Sequence, residues 1–236
     1  MSEQAPVAGQ AIGDGKLAAG LGSWRIRIFA LTWFTYASYY FCRQPFYIVK
    51  SDLERHFGID AAFLGHIGLT YLVCYMLGQF TSAAMGRRLG SRLLLLFGMC
   101  ATIGINVIFG LSNHAWTILL FMGLNGLAQG TGWSGVIGTM AYWFRRTERG
   151  QVMGLWATCY QVGAIAAKSY AALLLGIWGW RYSFFGGALI TLLVWIANAF
   201  FLRSRPEDAG FPPLEEDDEP APAAGAAAAA AAGGRA

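Results

Sequence analysis

The sequence predicts an all-α integral membrane protein of six transmembrane helices, and three observations carry that prediction. Of 236 residues, 56% are hydrophobic and 13% charged, against about a quarter charged in a soluble domain, and mean hydropathy is +0.45. The apolar residues gather into six segments, each long enough at a rise of about 1.5 Å per residue to cross a hydrocarbon core of about 30 Å. All 13 acidic residues lie outside those segments, in tails or connecting loops.

Taken in order, residues 1–24 are polar and glycine-rich and read as a disordered cytoplasmic tail ahead of a transmembrane domain at 25–203. The apolar run after them is too long for a signal-peptide core, so the first segment is expected to remain as a helix. The segments fall at 26–49, 61–86, 92–112, 115–142, 150–178 and 181–202. Asn113 and His114 alone separate the third from the fourth, which predicts a tight hairpin. In the second, Tyr71, Tyr75 and Gln79 form one ridge, suited equally to lining a cavity or to interhelical hydrogen bonds. The fourth carries Gly123, Gly126, Gly130, Gly132, Gly135 and Gly138, with Gln129 and Trp133 among them; small residues at such intervals let helices approach closely. The fifth carries Trp156, Tyr160 and Lys168 on a slowly rotating ridge, Tyr160 near the midplane and Lys168 within snorkelling reach of the far surface. From 204 to 236 the chain turns acidic and then rich in Ala, Pro and Gly. The alanine run Ala226–Ala232 is short and flanked by glycine, a linker or tail and not a seventh span.

Basic residues set the orientation. Lys16, Arg25, Arg27, Arg87, Arg88, Arg92, Arg145, Arg146, Arg149, Arg203, Arg205 and Arg235 fall on one side, and Lys50, Arg55 and Arg181 on the other. By the positive-inside rule both termini are cytoplasmic, in a cell inner membrane. The positive charges sit in short groups between apolar segments, which excludes a nucleic-acid-tracking surface. Cys42, Cys74, Cys100 and Cys159 read as small buried hydrophobes, with neither disulfide nor metal spacing. His66 is alone in its segment, and no Ser, His and acid cluster, so neither an enzyme nor a metal or cofactor site is expected.

The chemistry centres on Tyr36–Pro45, Y-A-S-Y-Y-F-C-R-Q-P, where Arg43 lies inside a membrane segment. A mid-membrane arginine costs upwards of about 2.5 kcal/mol, which favours a bundle interior or wet cavity over lipid; snorkelling is the competing reading. On an unbroken helix Tyr36, Tyr39 and Tyr40 share the face of Arg43. With no carboxylate in any segment, Arg43 and Lys168 lack internal counter-ions, and a solute anion is the expected partner.

Several strings add a resemblance. L-N-G-L-A-Q-G-T-G-W (Leu124–Trp133), W-F-R-R-T-E-R-G (Trp143–Gly150), Trp156 with Val162 and Gly163, Y-Y-F-C-R (Tyr39–Arg43) and G-F-P-P-L-E-E from Gly210 resemble the organophosphate:phosphate antiporter family of the major facilitator superfamily. That family includes glycerol-3-phosphate and hexose-phosphate transporters and a sugar-phosphate sensor. The likeness covers residues 25–216 and implies the amino-terminal half of a major facilitator fold, a 3+3 inverted repeat of six helices. It implies a phosphate-binding role for Arg43, with Tyr36, Tyr39, Tyr40, Gln44, Tyr75, Gln79, Tyr160 and Lys168 as further substrate-binding candidates. The chain departs from the family at Gln44 and Gln79, where lysines are usual, at Tyr160, where a histidine is, and at Ala83 and Arg87, which replace a glycine and an aspartate of the loop motif. The implied function is half of a secondary transporter for a small organic anion, an organophosphate or carboxylate. It would work by alternating access with a second six-helix half, a separate chain or a second copy, in contact with lipid. The alternative is an anion-sensing receptor or regulatory subunit that binds without transporting.

Overall fold

The computed structural model describes residues 8–214, and among them the secondary structure is entirely helical. The helices are α1 (Ala8–Phe41), α2 (Gln44–Ile48), α3 (Lys50–Phe57), α4 (Ala61–Leu89), α5 (Ser91–Leu111), α6 (Ala115–Trp143), α7 (Arg146–Trp156), α8 (Thr158–Trp178) and α9 (Trp180–Phe201), then one 3-10 turn at Pro206–Ala209. Four stretches are long and apolar enough to cross a membrane: α4, α5, the near-continuous α7–α8 run Arg146–Trp178, and α9. They match the predicted second, third, fifth and sixth segments. Helices α1 and α6, of 34 and 29 residues, contain the tyrosine- and glycine-rich strings.

The first segment is not one helix. Pro45, at the second position of α2, has no N–H to give and its ring clashes with the carbonyl four residues back. The chain therefore turns at Cys42 and Arg43, whose amides bond the Tyr39 and Tyr40 carbonyls at 3.2 and 3.1 Å in a tightened last turn, and restarts at Gln44. The fifth segment has a milder break at Ala157. The predicted disordered tail is corrected in part: α1 is helical from Ala8, continuous with the first segment, so only residues 1–7 of that stretch lie outside the described chain. Likewise 204–214 are packed, with Pro206 buried and the Phe211 ring against Gly20, whereas the acidic run from Glu215 and the alanine run lie outside the described residues.

Two glycines make the hairpins sharp. Gly90, at φ +79°, joins α4 to α5 and Gly179, at φ +89°, joins α8 to α9, conformations that a Cβ disfavours. Helix α4 lies closest along α6; α5 packs on α6 and α9, and α1 on α8 and α9. One core, at the arginine-rich end, is built round Tyr36, Trp143 and Trp156. There Arg25 pairs with Glu148 and donates to the Trp143 carbonyl at 3.0 Å, while the Trp143 indole donates to the Arg203 carbonyl at 3.0 Å. A second core, round Phe46, Leu53, Tyr71, Phe109 and Phe184, fills the other end.

That other end is tied by Arg181 at the start of α9. Its guanidinium donates to the Gly110 and Ser112 carbonyls at 2.9 and 2.7 Å and to Asn113 Oδ1 at 2.9 Å, and covers Trp180 with Cζ 4.5 Å from the ring centroid. Those bonds satisfy carbonyls that the end of α5 leaves open. Arg181→Ala is expected to lower stability by about 1.5–3 kcal/mol, the range for hydrogen bonds to a charged group, read as a shift in thermal unfolding in detergent; an unchanged midpoint would show that the clamp contributes nothing.

Candidate functional site

At the break the Tyr39 and Cys42 carbonyls lie within reach of α6, and two of its side chains bond them. Buried Asn125 donates from Nδ2 to the Cys42 carbonyl at 3.2 Å, and buried Gln129 donates from Nε2 to the Tyr39 carbonyl at 3.3 Å and to Asn125 Oδ1 at 3.4 Å. A carbonyl only accepts, so the Gln129 amide is fixed with its nitrogen toward Tyr39. Its oxygen is thereby aimed at the site, where it accepts from Arg43 Nε at 3.0 Å and from the Tyr71 hydroxyl at 2.9 Å.

The guanidinium rests among aromatic rings. Arg43 Cζ lies 5.0, 5.1 and 5.4 Å from the ring centroids of Tyr40, Tyr75 and Tyr71, within the roughly 6 Å over which a ring face attracts a cation. Tyr71 and Tyr75 stack at 5.8 Å, and the hydroxyl of Tyr75 is 3.2 Å from that of Tyr36. Tyr36 then leads into a second aromatic group, its centroid 5.1 Å from Tyr160, 5.2 Å from Trp156 and 6.2 Å from Trp133. Arg43 is half-buried. Among the described residues the ion pairs are Arg25–Glu148 and Arg55–Asp52, and neither includes it. One neutral amide and three ring faces hold this cation in place without cancelling its charge, and its terminal nitrogens make no hydrogen bond among the described residues. A planar fork with unused donors is suited to a carboxylate or phosphate.

The sequence-predicted residues divide accordingly. Arg43, Tyr36, Tyr40, Tyr75 and Tyr160 form one contiguous group. Tyr39 departs from expectation: its hydroxyl turns to Thr131 Oγ1 at 3.3 Å and its ring packs over Gly132, so it offers the site its carbonyl and not its hydroxyl. The chain breaks at Cys42 and Arg43, three and four residues later, so Arg43 is not held to the face that an unbroken helix would share with Tyr39. Gln44 opens α2 and Gln79 lies one turn beyond Tyr75, both half-buried. Lys168 is exposed on α8 and makes no hydrogen bond or ring contact with the Arg43 group. Of the two readings of the second-segment ridge, the structure shows interhelical hydrogen bonds, from Tyr71 to Gln129 and between the Tyr75 and Tyr36 hydroxyls. Gln129 is the residue that sequence reasoning did not single out; its only signal is an uncharged polar side chain amid the glycines of α6.

Fold and site together define a multi-pass helical membrane protein with an arginine that has no carboxylate partner among the described residues, set at a helix break among tyrosines. The chain belongs to the Major Facilitator Superfamily, whose family model matches residues 32–233. It is 31% identical over 193 residues to a "Probable hexose phosphate transport protein" of Chlamydia muridarum, covering 82% of this chain and 42% of that one. It is 28% identical over 191 residues to "Membrane sensor protein UhpC" of Salmonella typhimurium, covering 81% and 43%. It is 29% identical over 231 residues to "Sugar phosphate exchanger 3" of Mus musculus, covering 85% and 47%. These are the organophosphate:phosphate antiporter relatives that the sequence strings point to, and they are not enzymes. The chain spans under half the length of each. A solved bacterial homologue of the human lysosomal transporter Spinster, inward-facing and unoccupied, shares the fold at a TM-score of 0.70 and 16% identity, over 83% of this chain and 45% of that one.

Proposed function

We propose that this chain forms one six-helix half of a secondary transporter for a small organic anion, a sugar phosphate or related organophosphate. In this reading α1 and α6 join the four apolar stretches as spans, the six helices form a 3+3 inverted repeat, and both termini lie on the cytoplasmic side of the inner membrane, where the arginine-rich end faces. A second six-helix half completes the substrate site, and the two rock about it in alternating access. The observation that carries the reading is Arg43: a cation anchored by Gln129 and three tyrosine rings, with no carboxylate beside it among the described residues, is neutralised when an anionic solute arrives. The names of the relatives support a phosphorylated sugar. Tyr40 and Tyr160 stand ready to donate to its oxygens, Tyr160 where the family has a histidine, with Gln44 and Gln79 at the margin in place of lysines.

The test is uptake of labelled glucose 6-phosphate into proteoliposomes preloaded with inorganic phosphate, with and without a co-expressed second half. Exchange that needs both halves and saturates supports the proposal; binding without flux under any pairing overturns transport. The site itself is probed by Gln129→Glu, which sets a carboxylate where an amide oxygen lies 3.0 Å from Arg43 Nε. An internal counter-ion then competes with the solute, and like-charge juxtaposition costs several kcal/mol. Affinity for the organophosphate is expected to fall at least about tenfold, measured by competition against labelled substrate; undiminished affinity would place the anion elsewhere.

A further inference from the structure

Away from Arg43, at the arginine-rich end, a cavity of about 680 Å³ opens between the α4–α5 turn, α6 and the segment after α9. Its polar lining includes Arg87, Arg88 and Arg205 together with Ser134, Ser204 and Tyr142, and among the described residues no Asp or Glu lines it. Arg87 stands where the loop motif usually has an aspartate, so the sign of the site in this chain is set by arginine alone. The same cavity has an apolar side: Leu89 and Ile137 line it and are exposed, and Met85 and Leu93, on the same two helices as the turn, are exposed beside it.

We infer that this cavity binds the phosphate headgroup of an anionic phospholipid, with its acyl chains lying along the exposed apolar side chains of α4, α5 and α6. Clustered arginines next to the membrane attract anionic headgroups, and basic pockets between membrane helices take them in. Arginine forks suit the phosphate oxygens, and the Ser134 and Tyr142 hydroxyls supply further donors. A free phosphate would use the arginines but leave the apolar side uncovered. The acidic run Glu215–Glu219 of the same chain also complements the charge, and its occupying the cavity would show as equal retention of both lipids in the experiment below. Leu214 lines a separate cavity with Arg145 and Arg149, and the Arg205 guanidinium stacked 4.6 Å over the Tyr142 ring stands between the two.

The experiment uses the 236-residue chain purified in neutral detergent, with dioleoyl phosphatidylglycerol and dioleoyl phosphatidylcholine as probes and native mass spectrometry plus thermal unfolding as readouts. Phosphatidylglycerol is expected to be retained and to raise the unfolding midpoint, with phosphatidylcholine bound at least about tenfold more weakly. The R87Q/R88Q/R205Q variant should lose that preference, while R145Q/R146Q/R203Q, with the same charge removed from the same end, keeps it within about twofold. Should the triple variant fail to fold, Arg88→Gln, which breaks no hydrogen bond among the described residues, should weaken retention about threefold. Equal retention of both lipids, equal loss in the two triple variants, or displacement by millimolar inorganic phosphate would each overturn the assignment. Because Arg43 is untouched, organophosphate binding that persists in R87Q/R88Q/R205Q separates this site from the one proposed for transport.

Discussion

Replacing Arg43 with glutamine is expected to abolish organophosphate binding while leaving the unliganded fold intact. Truncating one partner of a desolvated charge pair costs about 2–5 kcal/mol, so affinity should fall by at least about thirtyfold and by a thousandfold or more at the upper end. The effect on folding has the opposite expectation. A half-buried cation with no counter-ion among the described residues carries a desolvation cost, several kcal/mol at full burial and less here, which a neutral side chain removes. Against that stand the lost bond to Gln129, about 1.5–3 kcal/mol for a charged donor, and the tyrosine contacts, about 0.5–2 kcal/mol together with their packing. The two sides largely offset each other, so the unliganded unfolding midpoint should move little. Arg43→Lys retains the charge but loses the planar fork, and should weaken binding about tenfold, because an ammonium cannot hold Gln129 Oε1 through one nitrogen and present two more to the ligand. The measurement is ligand-induced protection against thermal unfolding, with glucose 6-phosphate and inorganic phosphate as probes and the second half present. If the glutamine variant keeps full protection, the anion does not sit here. If it unfolds without ligand, Arg43 is a structural residue and the recognition argument loses its basis.

Most of the site was legible because charge inside hydrocarbon is rare enough to mark itself. Arg43, and the tyrosines that come near it through spacing alone, follow from that single fact. Two things were less legible, for different reasons. The orientation of Tyr39 assumed a regular helix through Arg43, yet Pro45 already stood in the sequence as a reason for a break, and the break changes which residues share a face. Gln129 was hidden because its position depends on a carbonyl at the break in another helix, a tertiary fact that its own neighbours in sequence do not signal. At the level of the fold, hydropathy located the apolar stretches well, since a long uncharged run has few alternatives. It did not foresee helix from Ala8 to Trp24, where glycine and polar residues lower the propensity, nor the packing of Phe211 on Gly20 that anchors the segment after α9.

The glycines of α6 set a limit on the whole arrangement, and Gly130→Ala should show it. A Cβ at Gly130 would fall 2.5 Å from the Gly78 carbonyl carbon and 2.7 Å from the Gln79 amide nitrogen, and one at Gly126 would fall 2.5 Å from the Tyr71 carbonyl oxygen and 2.9 Å from the Tyr75 nitrogen. All of these are backbone atoms of α4, so no side-chain rotation relieves the clash and the two helices must part. Overpacking of this kind costs about 1–3 kcal/mol and sometimes more. Separation also breaks the bond from Ser82 Oγ to the Gly130 carbonyl, 3.0 Å. Gly104 offers the contrast, since a Cβ there meets nothing within 4 Å, and Gly104→Ala should leave stability unchanged or raise it by up to about 1 kcal/mol. Because α4 carries Tyr71 and Tyr75 to the guanidinium, Gly126→Ala should also weaken organophosphate protection, whereas Gly104→Ala should not. Equal unfolding midpoints for the Gly130 and Gly104 variants would mean that α4 and α6 are not held as closely as this seam requires. The rings around Arg43 would then be placed by something other than glycine contact.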